Sequence, residues 1–592
     1  MSFLPVSKQD MKDRGWSQAD FVVVTGDAYV DHPSFGTAII ARLLERFGYK
    51  TAILSQPDHR SCEDFKRFGR PRLGFMIGSG NVDSMVNNYS VFKRKRKKDV
   101  YSPGGIAGNR PDRAVIVYCN RAREAYKDVP VIIGGLEASL RRFSHYDYWD
   151  DDVRRSILMD SRADLLVYGM GERATIEIAE ALDAGISIDQ IHWIKGTSFV
   201  SKEKPSDPDL IILPSYEKVR KDKSSYCDSF ILQHENNDHI NGCMLAEPSG
   251  DRYIVQNPPQ PPLERNELDD LYDMDFERTY HPSYESEGGV PAISEVRFSI
   301  TANRGCFGGC SFCAITLHQG RQVRSRSTQS VLREAEMIAK MPDFKGYIHD
   351  VGGPTANFHA PACNRQLTEG VCKKKDCLWP EPCPNMDIDH IEYVDLLRRV
   401  KKIEGVKKVF VRSGVRYDYA MADKDHTFIR ELCHDHVSGN LKVAPEHVCG
   451  HVLDLMRKPG IEVFEKFRDE FDKINEKSGK KQYMIPYLIS SHPGSTLKDA
   501  VTMALYLKDM HFVPDQVQDF YPTPGTMSTC MYYTEMDPYT KEHIYVAKDI
   551  KDKKMQRALL HFNKKENEKT VRDALRKAGA EKLIPVLLGG KR

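Results

Sequence analysis

No stretch of this chain approaches the roughly 18 consecutive apolar residues of a membrane-spanning helix, so no membrane partner is expected. Its first twenty residues, MSFLPVSKQDMKDRGWSQAD, mix charge and polarity and lack the apolar segment of a secretory signal. A cytoplasmic location is therefore the expectation. An excess of one charge is missing too: 86 Lys and Arg stand against 84 Asp and Glu, a net charge of +2. That balance gives no global pull toward nucleic acid or an anionic surface. The local basic run Lys93–Lys98 reads as a solvated loop. Apolar residues make up 40% and charged residues 29%, an ordinary globular composition. At 592 residues the chain exceeds one hydrophobic core, and two or three domains are expected.

Cysteine is what the sequence has in quantity. In a reducing compartment fourteen cysteines need a reason other than structural disulfides, and clustered thiols there point to metal ligation or reactivity. Seven fall between Cys306 and Cys383; Cys62, Cys119, Cys227, Cys243, Cys433, Cys449 and Cys530 are scattered singly and read as small core hydrophobes.

Short β-branched runs alternate with amphipathic helices through the first third. Phe21–Thr25, TAILSQ, RLGFMIGSG, VPVIIGG and ADLLVYG read as strands, with FGTAIIARLLERFGY among the helices between them. That alternation predicts a doubly wound α/β domain with a parallel sheet covered on both faces. From about 186 to 285 the pattern is less regular, and QNPPQPPLER at 256–265 reads as a linker or surface loop. A second series begins near Glu295, with six strand candidates: VRFSITA, GYIHDVGG, KVFVRSG, LKVAPEH, MIPYLISS and QVQDFYPT. Six β/α units predict a partial (β/α)6 barrel with its site at the C-terminal strand ends. The expected organisation is an N-terminal domain over 1–290, a core over 291–535 with a cysteine-rich insertion at 356–386, and a small charged C-terminal appendage over 536–592.

The loop after the first core strand reads RGCFGGCSFC, placing Cys306, Cys310 and Cys313 in a C-x3-C-x2-C spacing. Iron prefers soft thiolate ligands and a 4Fe–4S cluster usually takes four. Three leave one iron open, by the logic that separates catalytic from structural zinc. Such an iron chelates the amino and carboxylate groups of S-adenosylmethionine (SAM), whose reductive cleavage gives a 5′-deoxyadenosyl radical. Zinc, with His318 as fourth ligand, is the competing reading.

C-x3-C-x-aromatic-C after a first strand, with Phe312 as the aromatic, resembles the signature of the radical SAM superfamily. The resemblance covers about 292–535. It implies SAM contacts from the glycine pair Gly352 and Gly353 in HDVGGPTAN, from Ser413 and Arg416 in VRSGVR, and from Glu446 in KVAPEH. Pro354 stands where that motif usually carries an acidic residue. IIGGLEAS and DLLVYGMGERAT resemble segments of a cobalamin-binding Rossmann domain. The cobalamin-ligating pattern D-x-H-x-x-G is replaced by Asp31-His32-Pro33-Ser34-Phe35-Gly36, so the fold is carried over and cobalamin is not expected. The whole chain is similar to the YgiQ family of radical SAM proteins, which implies an enzyme of unknown substrate served by a low-potential donor of flavodoxin or ferredoxin type. Two alternatives stay open: a tRNA methylthiotransferase, suggested by ISSHPGST and YPTPGT but short of N-terminal cysteines, and a non-catalytic electron carrier.

A second group, Cys363, Cys372, Cys377 and Cys383, is spaced C-x8-C-x4-C-x5-C in the insertion. Four thiols suffice for tetrahedral zinc or an auxiliary iron–sulfur cluster, and the spacing does not choose. The loop has too little apolar content to bury them as free thiols.

Overall fold

The computed structural model describes residues 2–514 and 517–589. The N-terminal part is built on one nine-stranded sheet. Its strands are β1 (Phe21–Thr25), β2 (Thr51–Ser55), β3 (Gly74–Ile77), β4 (Val131–Ile133), β5 (Leu165–Val167), β6 (Thr197–Ser201), β7 (Ile211–Ile212), β8 (Leu245–Ser249) and β9 (Arg252–Gln256). They lie in the order β7-β8-β9-β6-β5-β4-β3-β1-β2. The five strands expected from the sequence, β1 to β5, run parallel in register, Val23 opposite both Ile53 and Met76. Their side chains alternate between two cores: Phe21 and Val23 face one, Val22 and Val24 the other. That division is why the run is apolar throughout. Helices Gly36–Arg46 and Glu172–Asp183 bury Leu43, Leu44, Ile176 and Ile178 on the first face. Helix Ala114–Ala125 buries Val115, Tyr118 and Cys119 on the second.

The less regular stretch after 186 extends this sheet. β6 and β9 add antiparallel strands, and β8 and β7 follow them. Residues 257–263 are irregular, as expected of a proline-rich segment. Glu247, on β8, is fully buried and accepts from the Ser144 N–H at 3.1 Å and the Ser144 hydroxyl at 2.8 Å. Burial pushes its carboxyl up to about 8. A folded-state pKa above the unfolded one means the stabilisation is complete below about pH 4.5 and is lost as pH rises through about 8. A Glu247→Gln variant keeps the acceptor and cannot ionise. Relative to wild type it should gain about 1.4 kcal/mol per pH unit across that window, read as thermal midpoints at pH 5 and pH 8. Parallel midpoints at both pH values would remove this account of Glu247.

The second half is the open barrel. Its strands are β10 (Ser299–Thr301), β11 (Tyr347–Ile348), β12 (Asp350–Gly352), β13 (Lys408–Val409), β14 (Asn440–Glu446), β15 (Tyr483–Ser490) and β16 (Gln518–Asp519). β11 and β12 are two pieces of one barrel strand interrupted at His349, so all six candidates are present. The first residue of QVQDFYPT, Gln516, lies outside the described residues. β10 pairs parallel with β12, β11 with β13, β14 with β15, and β15 with β16. Between β13 and β14 the bridge is Val411 N–H to the His436 carbonyl at 3.0 Å. Helices Thr328–Ala339, Ile391–Lys401 and Ile461–Ser478 bury Val331, Ala335, Leu397 and Phe467 against the outer face.

The charged C-terminal helices Ile550–Leu560 and Glu568–Lys577 pack Leu559, Val571 and Leu575 on helix Leu497–Asp509. Two of their polar side chains turn inward. Gln556 accepts from the Ser491 N–H at 3.1 Å, and Lys553 reaches the Tyr532 hydroxyl at 2.8 Å. Of the scattered cysteines, Cys62, Cys119, Cys227, Cys433 and Cys530 are buried, while Cys243 and Cys449 are half-buried. No helix among the described residues is long and apolar enough to cross a membrane.

Candidate functional site

The three-cysteine loop leaves β10 through Asn303–Arg304 and returns through Arg324–Ser325, which pair with each other and close its base. Inside, Gly305 sits at φ +83°, and a Cβ there would strike the Gln322 carbonyl, so only glycine fits. Cys306 N–H bonds the Gly320 carbonyl at 3.1 Å, and Cys313 N–H bonds the Cys310 carbonyl at 3.1 Å, curling the tip. The tip is held at Ser311, whose N–H meets the Met456 carbonyl at 3.0 Å and whose carbonyl accepts from Ser528 N–H at 2.9 Å.

A hydroxyl chain continues from that contact. Ser311 Oγ and Ser528 Oγ are 2.8 Å apart, and Ser528 Oγ is 2.7 Å from His492 Nε2. His492 Nδ1 faces the Pro493 carbonyl at 2.8 Å and must donate to it, which leaves Nε2 as the acceptor. Ser528 then donates to His492 and accepts from Ser311. Burial lowers the imidazole to about 3, so it stays neutral in this role.

Each thiol has a different neighbour. Cys306 Sγ lies 3.5 Å from Thr355 Oγ1. Arg416 Nη1 donates to Cys310 Sγ at 3.5 Å and to the Gly308 carbonyl at 3.2 Å. The rest of the guanidinium is gripped in a fork by Asp418, at 2.8 Å and 2.5 Å. Burial would raise Asp418, yet Arg416 holds it below the usual carboxylate range. Asn357 fixes the backbone, accepting from Arg416 N–H at 2.9 Å and donating to its carbonyl at 3.1 Å. Burial raises the Cys306 thiol and pushes Cys313 up to about 12. Such thiols keep their protons until a cation replaces them.

The residues the resemblance assigned to SAM are placed unevenly. Gly352 ends β12 and Gly353 follows it, both against tight neighbours: a Cβ on Gly352 would sit 2.7 Å from Ser413 Oγ, and one on Gly353 would overlap Asn303. Ser413 spends its hydroxyl on Asp350, which also caps the Ser413 N–H at 3.0 Å and the Arg412 N–H at 2.7 Å. Arg416 is turned onto the thiol loop, where its Nη1 meets Cys310 Sγ and the Gly308 carbonyl. Glu446 ends β14 at φ +71°, buried, with its carboxyl raised by burial and opposed by Lys458 and Arg416. Sequence reasoning missed Thr355, Asn357, Asp418 and the chain by which Ser311 and Ser528 reach His492. Asn357 and Thr355 lie in the quoted HDVGGPTAN and His492 in ISSHPGST, but Ser528 carries no local signal, since only the closed fold brings it to the loop.

His318, the alternative fourth ligand, faces the N-terminal sheet. With Gly78, Gly134, Gly171, Thr37 and Met170 it lines a cavity of about 170 Å³ at the C-terminal ends of the parallel strands. Burial lowers it to about 4. His32 is fully enclosed, with Arg278 and Arg297 near it, and Asp31 is paired with Arg42. Neither side chain is offered to a ligand, so the residues present do not fit a cobalamin held through this Asp-His pair. Among the described residues, no three His, Cys, Asp or Glu side chains converge tightly enough to share one metal ion.

An open six-strand barrel carrying a three-thiol loop after its first strand, joined to a Rossmann-like domain, defines a radical SAM protein. Residues 300–506 match the family model described as the radical SAM superfamily, and residues 3–299 match the one described as radical SAM N-terminal. Residues 515–587 match a domain of unknown function, DUF3362. The chain is 56% identical over 584 residues to a UPF0313 protein of Clostridium botulinum (strain Loch Maree / Type A3), covering 99% of this chain and 90% of that one. It is 57% identical over 583 residues to a UPF0313 protein of Clostridium perfringens (strain SM101 / Type A), covering 98% and 88%. The chain belongs to this UPF0313 family of radical SAM proteins. Among solved structures it is similar to the radical SAM methyltransferase TsrM from Kitasatospora setae, solved with cobalamin and a 4Fe–4S cluster bound. There the identity is 13% and the TM-score 0.49, over 95% of this chain and all of that one.

Proposed function

We propose that this protein is a radical SAM enzyme in which Cys306, Cys310 and Cys313 hold a 4Fe–4S cluster and SAM completes the shell of its fourth iron. The observation that supports this most is the thiol loop itself. Three half-buried sulfurs sit on one pinned turn, and the nearest imidazole in sequence, His318, is directed to another cavity. When bound, the cluster supplies the electron that cleaves SAM to methionine and a 5′-deoxyadenosyl radical. In a cubane each thiolate takes its own iron, so the three sulfurs need not converge as ligands of a single ion do.

The chain's own contribution is positioning. Arg416, neutralised by Asp418, places an N–H on the Cys310 sulfur, and the Thr355 hydroxyl stands beside Cys306; hydrogen bonds to sulfur tune such clusters. Gly352 and Gly353 bring backbone to the C-terminal edge of β12, where a SAM amino group would meet carbonyls. Glu446 offers a carboxylate near Cys313 for the same group or the ribose. A low-potential one-electron donor of flavodoxin or ferredoxin type would supply the electron, and the substrate is unassigned.

The test is anaerobic reconstitution with iron and sulfide, reduction, and chromatography of SAM products. Formation of 5′-deoxyadenosine is expected; an intact cluster that leaves SAM uncleaved would overturn the reading.

A further inference from the structure

The insertion between β12 and helix Ile391–Lys401 contains no strand and only the four-residue helix Arg365–Thr368, yet it is closed on itself. Asp387 N–H bonds the Ala362 carbonyl at 3.0 Å, tying the ends, and Cys383 N–H bonds the Cys377 carbonyl at 2.8 Å. Gln366 N–H meets the Cys363 carbonyl at 3.1 Å, while its side-chain amide donates to Cys377 Sγ at 3.6 Å. The four cysteines are free thiols, Cys372 exposed and the other three half-buried. Cys363 and Cys372 both lie close enough to Cys377 to raise its thiol, after burial, which is the larger cause.

This thiol group is packed directly against the three-cysteine loop. Phe307 of that loop stacks on Phe358 at 3.7 Å, and a small core of Phe307, Val323, Phe358, Ala362, Leu378 and Tyr419 carries Cys306 and Cys377 at its margins. Gly309, at φ +66°, passes so near the insertion that a Cβ there would lie 2.8 Å from Asp376 Oδ1. Asp376 is clamped by Arg457 at 2.6 Å and Arg321 at 3.1 Å, and Arg321 also donates to the Cys372 carbonyl at 3.1 Å. The insertion's share of that core is Phe358, Ala362 and Leu378; around it, an amide and a guanidinium are directed at the turns that carry the sulfurs.

We infer that Cys363, Cys372, Cys377 and Cys383 bind a second iron–sulfur cluster beside the first. A cubane takes four thiolates, one on each iron, and this group shares a small core with the three-cysteine loop, with Cys306 and Cys377 both at its margin. The assignment does not depend on SAM cleavage by the first site.

The experiment compares three proteins reconstituted anaerobically with iron and sulfide: wild type, the Cys306→Ala/Cys310→Ala/Cys313→Ala variant, and the Cys363→Ser/Cys372→Ser/Cys377→Ser/Cys383→Ser variant. Iron, sulfide and zinc are measured per chain, and the iron is typed by Mössbauer spectroscopy. The triple alanine variant should retain about four iron atoms, half the wild-type content, in cluster form. Iron-free triple variant protein, or stoichiometric zinc lost only on changing the insertion thiols, would overturn the inference. If the serine variant fails to fold, the triple variant still decides, because its iron has only the second group to sit on. Failure of the function proposed above reads differently: both groups would hold iron while SAM stayed intact.

Discussion

Replacing any one of Cys306, Cys310 and Cys313 with alanine should reduce 5′-deoxyadenosine formation to the level seen without protein, while the chain remains folded. The reason is the ligand count. A cluster on three thiolates has no spare protein donor, and the nearest histidine in sequence, His318, lines a different cavity. Loss of one thiol leaves two, too few to hold a cubane with an open iron. The fold should survive because only Cys306 of the three reaches a hydrophobic core, and there it sits at the margin. The measurement pairs SAM product analysis with circular dichroism of each variant. Full activity in any one of them would show that its sulfur is not a ligand.

Arg416→Ala should be the most damaging single change outside the cysteines. It removes the donor to Cys310 and the Gly308 carbonyl, and it strands Asp418 as a buried carboxylate without its partner. Breaking a buried ion pair from one side costs about 3–5 kcal/mol. Losing an outer-shell partner of a metal site costs about 10–100-fold in affinity or activity. Arg416→Ala with Asp418→Asn should regain part of the stability, because the stranded charge is gone, and none of the activity. Thermal midpoints and cluster content separate the two effects. If the single variant keeps both wild-type stability and wild-type iron, the clamp described for this residue is wrong.

Much of the architecture was legible in the sequence because two periodicities carry it. Runs such as FVVVT can be buried on both faces only in a covered parallel sheet, and the helices between them show one apolar stripe. β6 to β9 escaped because LAEPS and RYIVQ include charge and proline, and because Glu247 is buried as a hydrogen-bonded acid where the sequence suggests exposure. The C-terminal stretch was legible as charged, but not the inward turn of Lys553 and Gln556 among mostly charged neighbours.

At the site, the three thiols were legible because spacing alone puts them on one loop. Arg416 was legible as a site residue, but its hold on the thiol loop was not. Its motif identifies a polar residue at a strand end, but Asp418, two residues on, decides where the guanidinium goes. The Ser311–Ser528–His492 chain spans more than two hundred residues and exists only once the barrel closes.

The central claim is that one iron of the first cluster is free for SAM. The direct measurement is the EPR spectrum of the reduced cluster with and without SAM, taken on the variant lacking the four insertion thiols so that a single cluster is observed. A change in line shape on adding SAM, removed by the cysteine-loop substitutions, is the predicted result. A spectrum indifferent to saturating SAM would mean that a side chain already fills the position, and would contradict the account.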